Sequence, residues 1–280
     1  MSDPSEGGDY RARLATTASC AISSHASGED TGRHDRKRRR EDLRNRRDRG
    51  YEPRGLLPRH DGVLVQVSVH GVDNRLMLET LRAHRERLRG VAVIEPDASE
   101  ATLRALDEAG VRALRLNVLF GGGIGFEKLE RLASIAREMG WHLEFLIDAK
   151  DLVELAPRLR KSPARFVIDH MGHFPTSRGL DDPGFRTLLG FVGDGAWVKL
   201  SGAYRTSVAG TPYEDVIPFA RALLKAAPDR CVWGSDWPHV AHWPGPLNAG
   251  DLLDGLADWA PADEDRQRVL VRNPAHLYGF

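Results

Sequence analysis

The chain carries no net charge, since 40 Lys and Arg balance 40 Asp and Glu. Neither a wholly basic nucleic-acid protein nor a wholly acidic solvating protein fits that balance. Cysteine is scarce: Cys20 and Cys231 are the only two in 280 residues. They cannot make a disulfide framework, and they point to a reducing, cytoplasmic compartment. No apolar run approaches the roughly 18 residues that a membrane helix needs. The opening MSDPSEGGDYRAR also lacks the short apolar core of a secretory signal. What remains is a chain long enough for one barrel-sized domain or two small ones, expected to work in the cytoplasm away from membranes.

The charge balance hides an asymmetry. Residues 1–60 hold 14 basic and 10 acidic residues, which leaves 26 and 30 for residues 61–280. Within 33–49, RHDRKRRREDLRNRRDR, ten positions are Arg or Lys and Leu43 is the one aliphatic residue, so no apolar stripe forms at either helical or strand period. Residues 1–60 therefore read as an Arg-rich arm, disordered or aberrant, with EPRGLLP (52–58) as the linker into residues 61–280.

From Val63 onward, short apolar runs alternate with amphipathic stretches, the sequence form of repeated βα units. The strand candidates are 63–69, 91–95, 111–118, 141–147, 165–169, 196–201 and 230–236. Helical patterns lie between them at 74–88, 99–110, 127–140, 150–161, 183–193 and 212–227, with a last helix near 263–271. Crossover helices between buried strands predict a parallel sheet. A closed TIM-like (β/α)8 barrel is preferred to an open doubly wound sheet, because polar residues gather after nearly every strand and not at a single switch point. Such a barrel needs a first strand from residues 1–60. Only LATTASCAIS (14–23) resembles one, so strand one is expected to be irregular or missing.

The residues able to carry chemistry follow the strands. They are Ser68 and His70, then Arg115 and Asn117 before the Gly121-Gly122-Gly123 loop, then Asp169, His170 and His173. After them come Lys199, Ser201, Tyr204 and Arg205, and finally Asp236 and His239. Each admits a plainer role. A single His after a strand can be structural, the HxxH spacing of His170 and His173 is weak evidence for a metal, and Asp236 can cap a turn. The glycine loop lacks the Lys-Ser/Thr of a phosphate-binding loop.

Taken together, VLVQVSVHGVDN, LRLNVLFGGG, VIDHMGH, VKLSGAYR, VWGSDWPH and NPAHLYGF resemble the amidohydrolase superfamily, in the branch that includes 2-pyrone-4,6-dicarboxylate lactonase. The resemblance spans about residues 60–280. It implies Asp236 as general base on a hydrolytic water and His170 as the group polarising the scissile carbonyl. It implies Arg115 and Arg205 as carboxylate-binding residues, with Ser68 lining the pocket. Tyr204, beside Arg205, is a further candidate for substrate contact. Those residue types suit ester hydrolysis, which needs an activated water and positive charge against a developing oxyanion.

Two departures qualify the transfer. Near Gly121 the dicarboxylate lactonase has a further arginine, which puts that substrate in doubt. The family's first strand carries a His-x-His pair, whereas His25, His34 and His60 stand apart here. A divalent metal such as zinc, implied by the resemblance, thus lacks two of its expected ligands. The expected activity is hydrolysis of a small carboxylated lactone. The alternatives are a catalytically impaired, small-molecule-binding relative and, more weakly, nucleic-acid contact through the Arg-rich arm.

Overall fold

The structure, a computed structural model, describes residues 61–119, 124–240 and 247–280 together with the backbone of 19–23. The Arg-rich segment 33–49 and the Gly121–Gly123 loop lie outside the described residues. Strands β1 (Ser19–Ser23), β2 (Asp61–Val65), β3 (Leu88–Ala92), β4 (Val111–Asn117), β5 (His142–Leu146), β6 (Phe166–Ile168), β7 (Trp197–Leu200) and β8 (Cys231–Trp233) follow one another in a single sheet in chain order. Every pairing from β2 to β8 is parallel. Helices α1 (Arg75–Ala83), α2 (Glu100–Ala109), α3 (Leu129–Glu138), α4 (Leu152–Leu159), α5 (Pro183–Gly193) and α6 (Ile217–Ala226) fill the crossovers, and α7 (Asn273–Tyr278) ends the chain. Among the described residues no helix is long and apolar enough to cross a membrane.

Local chemistry accounts for these elements. In α3 the buried residues Leu129, Leu132, Ala133, Ile135 and Ala136 recur at helical spacing and face the sheet. Helix α2 starts where the Ser99 hydroxyl accepts from the Thr102 amide, and it stops at Gly110 in the left-handed conformation.

The first strand departs from a regular (β/α)8 barrel. Strand β1 falls inside the 14–23 candidate but pairs antiparallel to β2, with Ser19 opposite Val65. An antiparallel neighbour satisfies the exposed ladder of β2 as well as a parallel one does. Some β1 Cα atoms also come within 8 Å of β8, so the sheet curls until its first strand comes near its last. Element boundaries shift modestly from the sequence reading. Strand β2 ends at Val65, which leaves Ser68 and His70 in a short 3-10 turn, and β3 begins at Leu88. The expected helix at 263–271 divides into Asp263–Gln267 and a π-helical stretch, Arg268–Arg272, leading into α7.

Strand alternation sorts the side chains between two cores. Leu64, Leu114, Leu116, Leu143, Phe145, Ile168, Val198 and Leu200 point outward to the helices. Val63, Val65, Val91, Ala113, Val167, Trp197 and Val232 point inward, where Leu277 and Tyr278 of α7 plug the amino-terminal end of the barrel. Two residues further along the same inward faces come Arg115, Glu144, Asp169, Lys199 and Gly234, and then Asn117, Ser201 and Asp236. The barrel interior therefore grades from apolar at its base to charged and polar at its carboxyl-terminal mouth.

Candidate active site

His170 and Asp236 meet at that mouth. His170 follows β6 and Asp236 follows β8, and both hold left-handed backbone, with φ of 50° and 57°. For non-glycine residues that conformation costs roughly 1–3 kcal/mol each and persists where the surroundings impose it. The imidazole Nε2 lies 3.6 Å from Asp236 Oδ1, and both side chains are buried. On its other edge His170 Nδ1 is 2.8 Å from Ser201 Oγ. Gly202 makes room for the ring: at φ +65 it turns the chain sharply, and a Cβ there would sit 3.2 Å from His170 Cγ.

Asp236 has two further partners from the short helical turn Ala203–Thr206 after β7. Tyr204 Oη and Arg205 Nε each donate to its Oδ2 at 2.6 Å. Burial alone would raise the Asp236 pKa, but the facing imidazole, the Arg205 guanidinium and the Tyr204 hydroxyl together hold it well below the usual carboxylate range. Burial depresses the His170 pKa, an effect that the nearby carboxylates of Asp236 and Asp169 only partly offset, and this favours a neutral imidazole. The Arg205 guanidinium also donates to the Val240 carbonyl and lies over the Tyr204 ring.

Beneath this pair runs a buried charge network. Lys199 Nζ lies 2.8 Å from Glu144 Oε1 and 2.7 Å from Asp169 Oδ1, and Tyr278 Oη donates to Glu144 from the base of the barrel. Burial disfavours the Lys199 ammonium, but Asp169 and Glu144 outweigh it and raise the pKa. Arg115 approaches Asp169 at 3.8 Å and donates to the Gln66 carbonyl, while its buried Nε has no hydrogen-bond partner among the described residues. Arg115 is thus one step from His170, through the neighbouring Asp169. Ser68 accepts from Asn117 Nδ2 and ties the β2 turn to the end of β4. The His173 ring packs edge-on against His170, and burial lowers its pKa to about 4.

The mouth of the barrel combines DHMGH after β6, SGAYR after β7 and GSDWPH after β8. Residues 32–280 match the Amidohydrolase family. The chain belongs to that family. A 4-sulfomuconolactone hydrolase of Rhizobium radiobacter is 37% identical over 224 residues, 78% of this chain and 75% of that protein. A 2-pyrone-4,6-dicarboxylate hydrolase of Comamonas testosteroni is 36% identical over 232 residues, 77% of this chain and 75% of its own length. A Pseudomonas putida crystal structure named for 2-pyrone-4,6-dicarboxylic acid hydrolysis superposes with a TM-score of 0.68 at 35% identity, covering 78% of this chain and 81% of that one.

Amidohydrolases invite a test for a divalent metal. The donor set of the described residues does not fit one. Among the described residues no three His, Cys, Asp or Glu side chains converge as a ligand group. Asp236 Oδ2 already receives Arg205 and Tyr204, and a guanidinium beside a metal ion is electrostatically unfavourable. The His170 edge facing away from Asp236 is taken by Ser201.

In this amidohydrolase, sequence reasoning missed Glu144. The signal was present, because HLEFL places one carboxylate in a wholly buried strand with no opposite charge of its own, where a charge needs a partner.

Proposed function

We propose that this amidohydrolase opens the ring ester of a small carboxylated lactone by water attack. Asp236 takes the proton of the attacking water as the new C–O bond forms. His170 donates a hydrogen bond to the carbonyl oxygen as it becomes an oxyanion. When the ring C–O bond breaks, the proton held by Asp236 passes to the departing alkoxide. Arg205 and Arg115 bind substrate carboxylate, with Tyr204 and Ser68 lining the pocket. Arg205 is shared in this scheme: a carboxylate arriving at its guanidinium loosens the pair with Asp236, and the freed carboxyl becomes a better proton acceptor.

The observation that carries the reading is the His170–Asp236 pair, held face to face at 3.6 Å in two left-handed backbone segments at the barrel mouth. The lactone-hydrolase names of the relatives support the substrate class. The catalytic unit is residues 61–280, and a cytoplasmic setting accords with the buried free thiol of Cys231. The test is a panel of carboxylated lactones assayed with the full chain. We expect turnover that persists after treatment with a chelator and falls about 10³-fold in Asp236→Asn. Binding without turnover by the wild type would identify an impaired relative, and full activity in Asp236→Asn would remove Asp236 as the base.

A further inference from the structure

We propose that Ser201 sets the tautomer of His170, so that the imidazole presents Nε2–H to the substrate carbonyl and keeps its lone pair on Nδ1. The catalytic part of this inference rests on the lactonase reading above; the tautomer itself does not.

Two observations at opposite edges of the ring select the same tautomer. At one edge, the Ser201 hydroxyl is buried, with 2% of the residue exposed, and lies 2.8 Å from Nδ1. Among the described residues Ser201 Oγ meets no other hydrogen-bonding group. A buried hydroxyl has one proton to place, and here the acceptor in reach is Nδ1. The opposite arrangement, Nδ1–H donating to Ser201, would leave the hydroxyl proton without an acceptor. At the other edge, Nε2 faces an ionised carboxylate oxygen of Asp236 at 3.6 Å. A bare Nε2 lone pair would oppose that negative charge, whereas N–H is attracted to it.

The backbone supports the arrangement. Ser201 directly follows β7 on the inward face shared with Lys199, and Gly202 leaves the imidazole the space that a side chain would take, since a Cβ there would come within 3.1 Å of His170 Cβ. The consequence is a division of labour. With Nε2 protonated and the imidazole neutral, His170 can donate to the carbonyl oxygen but cannot accept a proton from water, so the base is left to Asp236. Ser201 acts through His170 and is a positioning residue.

The experiment is heteronuclear NMR of the histidine ring nitrogens in the full-length protein, with the His170 signals identified by their loss in His170→Gln. We expect the wild type to show Nε2 protonated and Nδ1 bare. Ser201→Ala, which leaves Asp236 as the remaining bias, should raise the Nδ1–H fraction above that of the wild type and lower kcat roughly 10²-fold with KM changed by less than about twofold, and Ser201→Thr, which keeps the hydroxyl, should restore both signals and rate. A wild-type Nδ1–H signal for His170 overturns the proposal even if no Ser201 variant can be purified. So does a Ser201→Ala protein with the wild-type tautomer and kcat. Failure of the wild type to hydrolyse any lactone would remove the lactonase reading while the nitrogen signals still decide the tautomer.

Discussion

Arg205 Nε lies 2.6 Å from Asp236 Oδ2, so the arginine expected to hold substrate carboxylate already holds the expected base. Both side chains are under a tenth exposed, and the pair is therefore only weakly screened by solvent.

Replacing Arg205 with Met tests that double engagement. Binding of anionic lactones should weaken, with KM rising by about one to two orders of magnitude. Asp236 also loses a group that depresses its pKa. Its pKa then rises, so the acid limb of the kcat/KM profile should move to higher pH. An unchanged acid limb would mean that Arg205 has no influence on the base.

Lys199→Met should destabilise the fold by roughly 3–5 kcal/mol near neutral pH, since it leaves buried carboxylates without their cation. Glu144 and Asp169 are each no more than 1% exposed. Burial, followed by the neighbouring Asp169 charge, already raises the Glu144 pKa, so Glu144 is the carboxyl that takes up a proton when Lys199 is lost. The penalty should accordingly shrink as the pH falls. Chemical unfolding at several pH values measures it, and a pH-independent loss would argue for simple packing damage.

His142 governs a different pH window. Complete burial lowers its pKa from 6.5 to about 3, its Nε2 has no hydrogen-bond partner among the described residues, and its ring packs edge-on against Tyr278. The unfolded chain thus binds a proton that the folded chain refuses between those two values, and stability falls as the pH drops through that window. His142→Phe keeps the ring and should reduce the slope of stability against pH by about one proton's worth there. His173 and His170, also depressed, and depressed carboxylates such as Asp236 add to the slope. Equal slopes in the two proteins would show that His142 is not buried as a neutral group.

Much of the barrel was legible in the residues themselves. Apolar runs such as AWVKLS and WHLEFLI, separated by amphipathic stretches, mark buried parallel strands because hydrophobic burial and strand alternation are local properties. Alternation alone also puts Lys199 and Ser201 on one face. The motifs after the strand ends named His170, Asp236, Tyr204 and Arg205 as candidates. Their partners needed the closed sheet. Arg205 reaches Asp236 across 31 positions and Lys199 reaches Glu144 across 55, distances spanned only once strand order and register are set. The left-handed backbone of His170 and Asp236, and the antiparallel course of β1, likewise have no local signature. Sequence determined which residues could be buried and which could react. Tertiary structure decided which charges share a cavity, because the free energy of a buried ion depends on whatever group the fold brings within a few ångströms of it.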